Sequence, residues 1–122
     1  MKIKLKLTRN EYKGVATIAK NCCNALVGVT FVEVQYRDAL RGLMLRMAAK
    51  IPTLKAKGNK LTLVDIEALA LWETVNDLAG KFQPFEMSVG LSIIAEIDRQ
   101  RNDYVSLMRA NLMEQKNYYL EQ

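Results

Sequence analysis

Few side chains in this sequence could do chemistry. None of the 122 residues is histidine. That excludes the Ser-His-Asp triad, imidazole acid–base work and nearly every zinc site. Cys22 and Cys23 are the only thiols. Bridging adjacent cysteines strains the backbone, so they imply no disulfide framework. Two carboxylate pairs fall at helical spacing, Glu73 with Asp77 and Glu96 with Asp103. A metal centre built from helical carboxylates also wants Glu-x-x-His on partner helices, and a hard cation wants more converging oxygens. These pairs read as surface charge. The chain carries no GxGxxG, Walker loop, GxSxG or CxxC, and its glycines are too scattered to cradle a phosphate. Catalysis has no support here, and neither a metal nor a cofactor is expected.

Binding is the remaining chemistry. Residues 1–60 hold 13 Lys and Arg against 3 Asp and Glu, a net +10. Residues 61–122 hold 5 against 10, a net −5. This split has two readings. The basic half could meet nucleic acid, with Lys2, Lys4, Lys6, Arg37, Arg41, Lys55, Lys57 and Lys60 as the contacts. Alternatively, the two halves attract each other, within one chain or between two. The predicted strands hold no aromatic residue for base stacking, and no helix-turn-helix can be placed. Nucleic-acid binding, if present, is therefore driven by the phosphate backbone and unspecific in sequence. It is the less favoured reading.

The positions of these residues follow from the hydrophobic periodicities. Lys2 to Leu7 alternates strictly, which predicts a strand with Ile3, Leu5 and Leu7 inward and three lysines outward. Thr8-Arg9-Asn10-Glu11 is a capping box and opens a helix over about 9–27. Its buried stripe is Tyr12, Val15, Ala16, Ala19, Cys22, Cys23 and Leu26, so both thiols read as small packing residues. Thr30 and Glu33 form a second box, and that helix runs to about Lys50, ahead of Pro52. Arg37 and Arg41 lie one turn apart on its polar side.

Residues 53–63 read as a hairpin turning at Gly58-Asn59, with Ala56 opposite Leu61 and Leu54 opposite Leu63. A third cap at Thr62–Asp65 opens a helix over about 63–79 that is apolar on most sides. The expected fold is α+β and mostly helical. It has four helices and a two- or three-stranded antiparallel sheet, built from the N-terminal strand and the 53–63 hairpin. Residues 1–122 form a single domain.

The last helix starts at Pro84 and reads as continuous to Gln122. Its stripe is Met87, Leu91, Ile94, Val105, Met108 and Leu112, flanked by Ile97 and Tyr104. Asp98 and Arg101 sit at i, i+3 in the middle of it. Such a helix, rising 1.5 Å per residue, is roughly 50 Å long and overhangs a domain about 30 Å across. Either it breaks near Asn102, or its apolar overhang packs on a second subunit. The second reading is favoured and makes these ten residues an oligomer interface. A charged pair buried in such a seam fixes register or partner more than it adds stability.

Half of the residues are hydrophobic and a quarter charged, a balance that favours a packed core over disorder. The basic N-terminus lacks the apolar region of a signal peptide, and no apolar run reaches the roughly 20 residues of a membrane span. A cytoplasmic location follows as the expectation. The function expected is a small, self-associating, non-enzymatic interaction module, a homodimer with a further protein partner open to it.

Overall fold

The computed structural model describes residues 2–100. The elements are β1 (Lys2–Leu7), α1 (Arg9–Ala25), α2 (Phe31–Lys50), β2 (Asn59–Val64), α3 (Asp65–Leu78) and α4 (84–100). Short 3₁₀ turns at Ile51–Thr53 and Ala79–Lys81 follow α2 and α3. The architecture is α+β and mostly helical, with four helices and a two-stranded antiparallel sheet. Within the described residues α2 is the longest helix, at 20 residues. The expected length of α4 beyond residue 100, and any break near Asn102, lie outside them.

β1 and β2 pair in a register running from Lys2 opposite Val64 to Leu7 opposite Asn59. Ile3, Leu5, Leu7, Leu61 and Leu63 are all buried on the inner face. An isolated ribbon of two strands is marginal in water. This one belongs to the same apolar cluster as α1, α2, α3 and α4, and that burial holds it.

Only the second arm of the expected 53–63 hairpin is a strand; residues 54–58 form none. Asn59 accounts for the difference. Its side chain is buried at the start of β2, not exposed in a turn. Its Oδ1 accepts from the Lys55 N–H at 2.9 Å, and its Nδ2 donates to the Lys55 carbonyl at 2.7 Å. The same nitrogen donates to the Leu7 carbonyl at 3.1 Å. A side chain thus satisfies the Lys55 backbone, where a hairpin would use a ladder. Gly58 has φ +75° and lets the chain turn into β2. Leu61 faces Leu5 of β1, not Ala56.

The caps follow the sequence with one exception. Thr8 and Glu11 form the full capping box on α1. Thr30 accepts from the Glu33 N–H, while Glu33 reaches back to the N–H of Val29. Thr62, however, stays within β2. α3 instead begins where the Glu67 carboxylate accepts from the Val64 N–H at 2.9 Å. α3 is buried on most sides, including Glu67 and Thr74.

The phase of α4 also differs from the expected stripe. Val89, Ile93 and Ile97 face the core. Gly90 lies on the same side and lets α4 come close to α3. A Cβ at Gly90 would stand 3.1 Å from Cγ1 of Val75. Met87 and Ile94 lie on the flank of that face, half-buried, and Leu91 is exposed.

Replacing Asn59 by Ala leaves the Lys55 and Leu7 backbone groups without their amide partner. Asn59→Ala should lower stability by about 1–3 kcal/mol. Urea denaturation would read this as a lower midpoint at constant slope; an unchanged midpoint would refute the clamp.

Candidate functional site

The alternation of β1 and β2 sends Lys2, Lys4, Lys6 and Lys60 to the exposed outer face of the ribbon. Lys6 stands directly opposite Lys60, and Lys4 opposite Thr62. Lys4, Lys6 and Lys60 converge on a groove of about 800 Å³ between the ribbon and α4. Leu5, Leu7, Val89 and Ile93 supply its apolar lining, and Ser92, Glu96 and Arg99 its polar helix wall. The volume lies within the range of about 300–1,000 Å³ usual for ligand pockets.

Three α4 side chains, two of them lining the groove, form a bracket beside it. Glu96 accepts from the Arg99 guanidinium through both carboxylate oxygens. It also accepts from Gln100 Nε2 at 2.7 Å. The same nitrogen donates to the Lys4 carbonyl at 2.9 Å, while Gln100 Oε1 accepts from the Lys4 N–H at 3.1 Å. Gln100 therefore ties α4 to β1 through one residue's backbone. The Arg99 hydrogen bonds, and then that of Gln100, hold the Glu96 carboxyl down at about 2. Glu96 matches Arg99, and Glu11, which also lines the groove, is engaged in the α1 cap; Lys4, Lys6 and Lys60 outnumber that one remaining carboxylate and leave the groove net positive.

Sequence reasoning placed the lysines of this site and missed its wall. Glu96, Arg99 and Gln100 fall at i, i+3 and i+4, a spacing that signals mutual contact on a helix. Nothing in that spacing points to Lys4, 96 positions away.

The other candidate cations lie elsewhere. Lys55 and Lys57 are exposed on the 54–58 loop. Arg37 and Arg41 flank Asp38 on α2, at 3.9 and 4.0 Å, and do not line the groove. Arg37 is only partly exposed and lies against Gly28.

The candidate interface divides as well. Leu91 is 53% exposed, between the half-buried Met87 and Ile94. Ile97 was expected to flank the seam, but it is fully buried in the chain's own core and cannot contribute to an interface. Asp98 is half-buried and accepts from Trp72 Nε1 at 2.8 Å, which fixes it to α3. Arg101, Tyr104, Val105, Met108 and Leu112 lie outside the described residues.

Several other titratable groups join elements or lie in the core. Glu67 is buried and takes two hydrogen bonds from Arg46, at 2.7 and 2.9 Å. Arg46 also donates to the Thr62 carbonyl, which fastens α2 to the junction of β2 and α3. Glu73 accepts from the Tyr36 hydroxyl, joining α3 to α2. Cys22 and Cys23 are both buried. Burial, with a smaller contribution from Cys23, pushes the Cys22 thiol up to about 12, far from a reactive thiolate. Among the described residues no group of three His, Cys, Asp or Glu side chains could hold a metal ion. No helix among them is long and apolar enough to cross a membrane.

No protein-family model, curated protein or solved structure matches this chain.

The Glu96 bracket has a pH signature. Its carboxyl is depressed, so its contribution is complete above the ordinary glutamate range and is lost as pH falls through about 2. Carbon-detected NMR titration should place the Glu96 midpoint near 2, below the other glutamates. Arg99→Ala should raise it toward 4.5, the ordinary value. An unmoved midpoint would remove Arg99 as the cause.

Proposed function

We propose that this chain is a small, non-enzymatic interaction module that self-associates as a homodimer through the outer flank of α4. Leu91 carries the reading. It stays 53% exposed on a helix whose core face is already occupied by Val89, Ile93 and Ile97. Met87 and Ile94 sit one turn to either side of it and are half-buried. A large aliphatic residue between two others, facing water, supplies the centre that a two-fold contact needs. In the sequence the same helical phase continues through Val105, Met108 and Leu112. Size-exclusion chromatography with light scattering tests the reading. The parent chain should run as a dimer at micromolar concentration, and Leu91→Glu should raise the dissociation constant about tenfold or more without lowering the melting temperature. A parent chain that runs as a monomer ends the proposal.

A second reading is backbone-driven, non-sequence-specific binding of nucleic acid through the basic first half. Lys6 opposite Lys60 favours it. Like charges opposed across a strand pair destabilise the pair, and a polyanion would relieve them. Affinity for a generic duplex should then fall steeply with added salt, and Lys6→Ala should flatten that dependence. Absence of binding at low salt removes this reading.

A further inference from the structure

We propose that the open edge of β1 takes up an extended, acidic segment of a partner protein as a third strand, with Gln100 holding its place until it arrives. Among the described residues β1 has one strand neighbour, β2, and its other edge is open. In an antiparallel pair, successive residues direct their N–H and carbonyl groups to opposite edges. Leu7 stands opposite Asn59 of β2, whose side-chain amide donates to its carbonyl. Lys4 faces the other way, onto Gln100. A carboxamide that bonds both the N–H and the carbonyl of one residue does what one residue of a neighbouring antiparallel strand does. Lys6 lies two residues further on, hence on the same edge. Among the described residues none bonds its N–H or carbonyl there. That edge borders the groove of about 800 Å³.

The chemistry of the occupant follows from strand alternation. An added strand continues both faces of the sheet it joins. Its outer side chains would lie beside Lys4 and Lys6, with Arg99 across the groove already matched by Glu96. Carboxylates suit those positions. Its inner side chains would lie over the apolar floor of the groove, to which Leu5, Leu7, Val89 and Ile93 give the small part of their surface not buried in the core. The segment therefore alternates acidic and apolar residues. The β1 strand of a second copy does not qualify, because it would set lysines against lysines. Nucleic acid offers the charge but no peptide groups to pair with the edge. The proposal rests on β1 and Gln100 and is independent of self-association through α4.

The probe is a short synthetic peptide of alternating Glu and Val, followed by fluorescence anisotropy. It should bind saturably, and amide exchange at Lys6 should slow in the complex. Methylating alternate backbone nitrogens of the peptide should cost about tenfold or more in affinity. The double charge reversal Lys4→Glu with Lys6→Glu should cost a similar factor, with folding checked by circular dichroism. Gln100→Ala should tighten binding, because no side chain then has to be displaced. Absence of saturable binding overturns the proposal. So does equal binding by the methylated peptide, or by a single-stranded oligonucleotide of equal charge, since either means that the groove reads charge alone. Weaker binding by Gln100→Ala at an unchanged melting temperature overturns the place-holding role.

Discussion

The ribbon's inner face is the constraint on which the rest of the molecule depends. Two strands cannot stand alone in water, so β1 and β2 exist only while Ile3, Leu5, Leu7, Leu61 and Leu63 are sealed against the helices. Burying one such side chain is worth about 1.5–3 kcal/mol. The repulsion between Lys6 and Lys60 on the other face costs of order 0.2–1 kcal/mol. The inner face wins by a wide margin, which is why a lysine-rich outer face is tolerated. The same seal gives the groove an apolar floor beneath a charged rim.

Polar side chains do the aligning. Arg46 and Glu67 meet where β2 passes into α3, and Glu67 also receives the Val64 N–H. Trp72 holds Asp98, Tyr36 holds Glu73, and Gln100 holds Lys4. Each contact joins two elements that apolar packing alone would let slide. Exchanging a buried ion pair for apolar groups can be nearly neutral, whereas removing one partner strands a charge. Of these contacts only Arg46–Glu67 is an ion pair, with Glu67 buried and Arg46 47% exposed, and losing Arg46 would strand the buried carboxylate.

The sequence was legible where a period or a cap acts locally. The strand at Lys2–Leu7 follows from alternation, and the start of α1 from Thr8 and Glu11. Both cysteines fall on the buried stripe that helical spacing assigns them. Legibility failed where a distant group decides. Gly58-Asn59 has the composition of a turn, yet the Leu7 carbonyl and the Lys55 backbone recruit Asn59 into a buried clamp. On α4 the sequence stripe of Met87, Leu91 and Ile94 leaves out Val89 and Ile93, which the structure turns inward with Ile97, on the side where α4 comes close to α3 at Gly90. Of the groove, the lysines could be read from alternation. Arg99, Glu96 and Gln100 could not, because their partner strand is remote in the chain.

The pairing of β1 with β2 also sets an order of events in folding. The Leu7 carbonyl and the Asn59 side chain are 52 positions apart. β1 is synthesised well before its partner, while α1 and α2 close through local contacts. Long-range strand pairing is slow because the intervening loop must be closed first. Throughout that wait β1 is an unpaired strand, the kind of segment that invites aggregation. Three lysines on its outer side keep identical nascent strands apart by repulsion, so the charge that shapes the finished groove also protects the chain before the fold exists.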